Sequence, residues 1–215
     1  MTLDEATEVD AARTSSDRPS AWLLVVAVIA ALVLGAVGGV LLLSPDATPG
    51  DSSAEAGFAR DMSVHHSQAV SMAFMAYNAT DDEEIRRLAY DIINTQRAQI
   101  GMFSGWLQQW DLSQTSLAAP MAWTDHGHEK PMASYEDMPG MASDEQLAEL
   151  EAASGVEAEQ LFLELMIDHH RGGVEMAEAV VPLTNREEVQ RLAQTIVTGQ
   201  AGEIEYMQDL LAERQ

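Results

Sequence analysis

The sequence contains no cysteine, which excludes disulfide bonds, thiolate metal sites and an anchor attached through a lipidated cysteine. It has only 11 basic residues against 35 acidic ones, for a formal net charge of -24 at pH 7. Nucleic-acid binding needs clustered Lys and Arg opposite phosphates, so that class of function is excluded. HExxH, G-x-S-x-G and phosphate-loop signatures are also missing, so we expect no enzyme. The soft or borderline metal ligands that remain are 12 methionines and 6 histidines.

Residues 21–43 form a run of 23 residues without a charge. A helix of that length rises about 34 Å, which is enough to cross a hydrocarbon core about 30 Å thick. The run is longer than the apolar core of a usual signal peptide, and the tail before it is acidic rather than basic. It is therefore predicted to be an uncleaved signal anchor in the cell membrane.

The predicted orientation depends on the basic residues beside this run. Arg13 and Arg18 precede it, and no Lys or Arg follows it until Arg60. The positive-inside rule then predicts a cytoplasmic N-terminus and an extracytoplasmic domain after residue 43. Gly35 and Gly39 form a GxxxG pattern, which offers a homodimer contact between two such helices.

The rest of the chain contains an internal repeat. Residues 58–110 align with 162–214 at a constant offset of 104 without a gap, and 17 of the 53 positions are identical. A duplication is the economical explanation. The predicted organisation is therefore a tail at 1–20, the anchor at 21–43, a linker at 44–57 and a helical domain at 58–214. This domain comprises repeat one at 58–110, a connection at 111–161 and repeat two at 162–214.

Each repeat is predicted to contain two helices. Thr80 and Glu83 match a Thr-x-x-Glu capping box, as do Thr184 and Glu187, so a helix is expected to start at each threonine. Pro182 is expected to end the helix before it. Two helical hairpins with one apolar stripe each bury those stripes best against each other. The predicted fold class is all-α, a four-helix bundle with pseudo-twofold symmetry.

One face of the first helix in each repeat carries the residues best suited to binding a metal. At 100° per residue they fall within a stripe about 120° wide, which should point into the bundle. Ala69 and Gly173, one turn further on, would let the two helices approach closely. The two sets are Met62, His65, His66 and Met72, and Met166, His169, His170 and Met176.

Both sets also have a structural interpretation. Methionine on an inward stripe is usually core filler, and a single buried histidine usually bonds a carbonyl group. Here, however, 4 of the 6 histidines form adjacent pairs at equivalent repeat positions, and each imidazole needs hydrogen-bond partners. A ligand role is therefore favoured for the histidines, whereas core filling and metal binding are equally open for the methionines.

The connection between the hairpins contains a second group of soft ligands, which is a secondary candidate metal site. An alternative role is a lid whose methionines pack, together with Trp123, on the bundle. Further along, Ser143 and Gln146 form a capping box that opens a short helix, which Gly155 is expected to end. The group comprises Met121, His126, His128, Met132, Met138 and Met141.

Thioether sulfur is soft and imidazole is borderline, and this combination suits Cu(I). Thioethers need no deprotonation and form no disulfides, which fits an exported protein without cysteine. Zinc would prefer Cys or carboxylate with His. A ferritin-type di-iron site needs Glu-x-x-His on facing helices, and no glutamate stands three residues before any of the paired histidines.

The doubled phrase F-x3-M-x2-HH-x5-MA, at 58–73 and 162–177, resembles a known bacterial family, as does the Met-Pro-Gly-Met segment at 138–141. This is the ferritin-like domain-of-unknown-function family 305, which includes CopM-like exported copper-binding proteins. The resemblance covers about 55–214 and implies a four-helix bundle outside the cytoplasm. It also implies a Cu(I) site whose ligands, by position, are Met62, His65, His66, Met72, Met166, His169, His170 and Met176.

The leading hypothesis is an extracytoplasmic protein that sequesters or transfers Cu(I) without catalytic turnover. One alternative is a haem or redox bundle with His/Met axial ligation, although no C-x-x-C-H is present. The other is a metal-free helical interaction module whose histidines are structural or sense pH.

Overall fold

The computed structural model describes residues 21–43, 48–124 and 132–215, and in the first helix it describes the side chains of 22–35. None of these residues forms a strand, so the all-α prediction is confirmed. The six α-helices are α1 (Ala21–Leu43), α2 (Ala54–Ala79), α3 (Glu83–Gln109), α4 (Asp144–Ala152), α5 (Val156–Val180) and α6 (Glu187–Ala212). One-turn 3₁₀ helices lie at Tyr135–Asp137 and Val181–Leu183.

Helix α1 belongs to one compact unit and residues 48–215 form another. Among the residues described, no helix has the length and apolar character needed to cross a membrane. The transmembrane anchor, the membrane location and the Gly35/Gly39 homodimer contact therefore stay predictions from the sequence.

Four long helices form two hairpins, α2–α3 and α5–α6, which meet through α2 and α5. Short α4 packs against both of these central helices. Helix α2 begins at Ala54, inside the segment predicted as a linker, because Ser53 caps it by accepting a hydrogen bond from the Ala56 amide. Helix α5 ends at Val180, where Pro182 follows in a 3₁₀ turn, as predicted.

Both predicted capping boxes at the hairpin turns are wrong. Helix α3 begins at Glu83, and its cap is Asp82, whose Oδ1 accepts from the amides of Glu84 and Ile85 at 3.0 Å. Thr80 instead accepts from the Asp82 amide and donates to Glu159 at the start of α5. A short turn thus separates the threonine from the helix that it was predicted to cap.

The equivalent turn of the second repeat has the same arrangement. Helix α6 begins at Glu187 after Arg186, and Thr184 donates across the hairpins to Glu55 at the start of α2, 2.7 Å away. Glu55 and Glu159 are themselves separated by 104 positions, so the repeat extends further back than residue 58. The two threonines therefore join the hairpins instead of starting helices.

The short helix α4 begins as predicted, with a capping box between Ser143 and Gln146. Gly155 has a different role from the predicted one. Helix α4 ends at Ala152, and Gly155, with φ +58°, instead precedes α5 and donates its amide to the Ala79 carbonyl at 2.8 Å. Only glycine adopts such a backbone conformation without cost, so this residue fixes how α5 starts.

The hydrophobic core consists of two clusters that follow each other along all four long helices. We call them the Phe162 cluster and the Phe58 cluster. Each contains residues from both hairpins, so neither hairpin has a complete core alone. Members of the first include Val70, Met72, Ile85, Ile92, Phe162, Met166 and Met207. Members of the second include Phe58, Met62, Phe103, Met121, Met138, Met176, Val189 and Ile196.

Candidate metal centre

The region between the two clusters is polar. On every long helix, inward-facing His, Gln or Glu side chains lie between the residues of one cluster and those of the other. We call these side chains the polar layer. The layer comprises His65 and His66 on α2, Gln96 and Gln99 on α3, His169 and His170 on α5, and Gln200 and Glu203 on α6.

All eight residues predicted as the main metal ligands are fully buried. The His65 and His169 rings lie across the hairpin interface, with their centroids 3.8 Å apart. The methionines divide between the clusters, since Met62 and Met176 belong to the Phe58 cluster and Met72 and Met166 to the Phe162 cluster. The structure therefore brings the imidazoles together and places a pair of methionines on each side of them.

Three of the four imidazoles are held through the same ring nitrogen. The Nε2 atom of His65 is 3.1 Å from the Pro139 carbonyl oxygen. The equivalent atom of His66 is 2.6 Å from Gln99 Oε1, and that of His170 is 2.7 Å from Glu203 Oε2. Each of these oxygens accepts a hydrogen bond, so each Nε2 is the protonated nitrogen. In a neutral ring held in this way, the free lone pair is on Nδ1.

The polar layer contains nine buried side-chain atoms without a hydrogen-bond partner, and they account for every such atom in the described parts of the chain. An unpaired buried polar atom costs about 1–3 kcal/mol, so this concentration is unusual for a packed core. The atoms are Nδ1 of His65, His66, His169 and His170, Nε2 of His169, and both amide atoms of Gln96 and Gln200.

Burial keeps three of the four imidazoles neutral. It lowers the pKa of His65 to about 4, against the opposing effect of the Pro139 carbonyl. The pKa of His66 falls to about 3 through burial and the neighbouring His65. That of His169 also lies well below its ordinary value, because of burial and then the nearby histidines. A neutral imidazole needs to lose no proton before it binds a metal, so these rings are ready ligands at pH 7.

The Met-Pro-Gly-Met segment at 138–141 lies directly on the histidine pair at the hairpin interface. Gly140, with φ +74°, approaches the Asp168 carbonyl so closely that a Cβ atom there would be 2.3 Å from its oxygen. A Cβ on Gly172 would be 1.9 Å from the Pro139 oxygen. The Gln68 side chain holds the next residue, Ala142, by donating to its carbonyl and accepting from its amide. These contacts place the Pro139 carbonyl on His65.

The secondary group of predicted ligands is only partly described. His126 and His128 lie outside the described residues. Met121 and Met138 are buried in the Phe58 cluster, against which Met132 and Met141 pack. This is the packing that the lid interpretation predicts.

A buried carboxylate fixes the start of the connection to α2. Asp61 Oδ2 accepts from the Met121 amide and from Trp123 Nε1, each at 2.8 Å. Burial raises the pKa of Asp61, although both donors lower it. The connection is thus attached at Asp61 and, through Ala142, at Gln68.

The donor set fits a soft or borderline ion better than a hard one. In the parts of the chain that the structure describes, no three His, Asp or Glu side chains form a group that could hold a metal ion. That result concerns nitrogen and oxygen donors. Met62, Met72, Met166 and Met176 belong to the adjacent clusters, and their thioethers are donors of the kind that a soft ion prefers.

Sequence reasoning did not identify the glutamine and glutamate members of the polar layer. Gln96 and Gln200 are identical in the two copies of the repeat. An identical amide on an inward stripe could have indicated that they belong to the site. Gln99 and Glu203 differ between the copies, so identity could not find them. Their position 33 residues after the histidines that they contact is the same in both repeats.

Comparison with known proteins agrees with the family resemblance found in the sequence. The family model described as "Domain of unknown function (DUF305)" matches residues 55–211. A DUF305 protein from Streptomyces coelicolor is 48% identical to this chain. The match covers 77% of this chain and 96% of the Streptomyces protein, with a TM-score of 0.71. A DUF305 fragment from Deinococcus radiodurans is 33% identical. The match covers 79% of this chain and 99% of the fragment, with a TM-score of 0.64.

A third solved structure is CopM in the Cu(I)-bound form, which is 27% identical. The match covers 75% of this chain and 96% of the CopM chain, with a TM-score of 0.56. CopM also has Cu(II)-bound and silver-bound structures. Among curated proteins no match is found. The family match over most of the chain and the two DUF305 structures establish that the chain belongs to the domain-of-unknown-function family 305.

Proposed function

We propose that this protein binds Cu(I) in the polar layer and sequesters it or passes it on without catalytic turnover. The imidazole ligands come from His65, His66, His169 and His170, no three of which are grouped around one point in the described structure, and the flanking methionines supply thioethers. The proposed setting is outside the cytoplasm, with the segment at 21–43 as the anchor.

The observation that carries the proposal is the set of unpaired nitrogens in the polar layer. A core that held these histidines for packing alone would be expected to hydrogen-bond both nitrogens of each ring. Here all four Nδ1 atoms are buried without a partner, next to apolar clusters that contain methionine. An ion that accepts these lone pairs offsets the cost of burying them, which is how metal binding stabilises a folded chain.

The site chemistry favours a monovalent soft ion. Burial that disfavours protonated imidazole also disfavours concentrated positive charge, so a singly charged ion enters such a layer at lower cost than a doubly charged one. Cu(I) combines that charge with a preference for thioether and imidazole. The similarity to CopM, which has been solved with Cu(I), Cu(II) and silver, supports the same choice.

The test is an anaerobic Cu(I) titration of the full chain against a chromogenic chelator. One variant changes His65, His66, His169 and His170 to Gln, which removes all four imidazoles of the polar layer but leaves polar side chains. A second variant changes Met62, Met72, Met166 and Met176 to Leu, which removes sulfur at nearly constant volume. A third, with His126→Gln and His128→Gln, removes the two histidines of the connection. Circular dichroism confirms that each variant is folded.

We expect tight binding by the parent and by the third variant, and loss of binding in the first. A partial loss in the second variant would assign the methionines to the site. Equal binding by the parent and the first variant would refute the polar layer as the copper site. An absence of binding in the parent would favour the metal-free interaction module.

A further inference from the structure

Gln99 and Glu203 occupy equivalent positions of the two repeats and contact equivalent histidines. Gln99 Oε1 is 2.6 Å from His66 Nε2, and Glu203 Oε2 is 2.7 Å from His170 Nε2. In both copies the acceptor is on the second helix of the hairpin and the imidazole on the first. The duplication has therefore preserved an interaction whose function is to hold the ring by Nε2.

This interaction selects the tautomer of the imidazole. A neutral ring that donates through Nε2 has its lone pair on Nδ1, and only that atom can then bind a metal. His65 is in the same state, because its Nε2 faces the Pro139 carbonyl. The Nδ1 atoms of all three rings are buried and unpaired.

The two copies differ in charge. Gln99 is a neutral acceptor, whereas Glu203 is a carboxylate, partly exposed beside the fully buried His170. A carboxylate that accepts from one ring nitrogen makes the other nitrogen a stronger donor to a metal, and it offsets the charge of a bound cation. On this ground the second repeat is expected to be the more strongly binding half of the site. The halves differ at a second point, because His65 has a partner at Nε2 and the equivalent His169 has none.

We infer that copper in the polar layer is coordinated through Nδ1 of the histidines, with Gln99 and Glu203 as positioning residues and His170 as the strongest imidazole donor. This inference rests on the proposed copper function and adds to it the coordinating atom and the source of the asymmetry. Neither positioning residue needs to touch the ion.

The first measurement is long-range ¹H–¹⁵N correlation NMR on the full chain with ¹⁵N-labelled histidine at pH 7, with and without Ag(I). Silver is a diamagnetic stand-in for Cu(I) whose nucleus splits the resonance of the nitrogen that binds it. The metal-free protein should show the Nε2–H tautomer for His65, His66 and His170. Ag(I) should then shift and split their Nδ1 resonances while each Nε2 stays protonated.

The second measurement compares the Cu(I) affinity of three isosteric variants. Glu203→Gln gives the second repeat the acceptor of the first, and we expect it to weaken binding by about 10-fold. Gln99→Glu makes the reverse change and should strengthen binding by a similar factor of about 10. Glu205→Gln, which removes an exposed charge two residues from Glu203, is the matched control and should leave the affinity unchanged.

The outcomes separate this inference from the proposed function. Splitting at Nε2, or an Nδ1–H tautomer in the metal-free protein, overturns the inference but leaves copper binding intact. Equal affinities in Glu203→Gln and Glu205→Gln overturn the role of the carboxylate. An absence of any Ag(I)-dependent or Cu(I)-dependent change overturns both the inference and the proposed function.

Discussion

Lowering the pH from 7.5 to 5 should destabilise the metal-free protein, because three buried imidazoles resist protonation in the folded state. The ordinary pKa of histidine is about 6.5. In the folded protein the pKa of His65 is about 4, that of His66 is about 3, and that of His169 is also well below the ordinary value. Between these values the unfolded chain binds protons that the folded chain does not. Stability is therefore complete above about pH 6.5 and falls as the pH falls.

The magnitude follows from this difference in bound protons. Each such histidine lowers the free energy of unfolding by about 1.4 kcal/mol per pH unit inside its window. At pH 5 the loss is about 2 kcal/mol each for His65 and His66, hence about 4 kcal/mol for the two together, and protonation of His169 adds to the loss in the same direction. Domains of this size have a free energy of unfolding of only about 5–15 kcal/mol, so this loss is a large part of the total stability.

Urea unfolding followed by circular dichroism, in the presence of a metal chelator at pH 7.5, 6 and 5, measures this dependence. The variant His66→Leu removes one of the three rings, and its slope against pH should be smaller by about 1.4 kcal/mol per unit. A free energy of unfolding that stays constant or rises toward pH 5 would show that the rings are protonated in the folded state. The reasoning from burial would then be refuted.

Three further features of the structure can be tested by substitution and urea unfolding. Gly172→Ala pushes a Cβ into the Pro139 oxygen and should lower the free energy of unfolding by about 1–3 kcal/mol. Gly202→Ala, with open space around the new Cβ, should stabilise its helix by about 0.5–1 kcal/mol. Equal effects of the two substitutions would contradict the contact with Pro139. Asp82→Ala should lower the free energy of unfolding by about 1 kcal/mol and Glu83→Ala should leave it almost unchanged. The reverse order would support the capping box predicted from the sequence. Gln96→Leu removes two unpaired polar atoms and should stabilise the metal-free protein by about 1 kcal/mol or more, and a loss would show that the amide is hydrogen-bonded in solution.

The helical repeat could be predicted from sequence because its signals are periodic and occur twice. A helical wheel placed Met62, His65 and His66 on one inward face, and all three are fully buried. Burial of an apolar stripe depends only on the spacing of residues along one helix, which the sequence contains. The same holds for the capping box at Ser143, whose partner is three residues away.

Features that depend on contacts between distant residues could not be predicted. Thr80 has the sequence of a helix cap, but its hydroxyl donates to Glu159, 79 residues away, and Asp82 caps the helix. A local pattern cannot show that a tertiary partner competes for the same side chain. The acceptors of the candidate site, Pro139, Gln99 and Glu203, were missed for the same reason. Each lies at least 33 residues from its histidine.

The two crossed pairs, Glu55 with Thr184 and Glu159 with Thr80, have a consequence for the origin of the molecule. Each hairpin carries one glutamate and one threonine, and each residue finds its partner on the other hairpin. An ancestor with a single hairpin would satisfy both residues only by pairing with a second copy of itself around a twofold axis. Such a self-paired ancestor must place identical residues on both sides of its axis. In one chain that contains both copies this requirement no longer applies, and the presence of glutamine at 99 and glutamate at 203 is such a difference between the two sides.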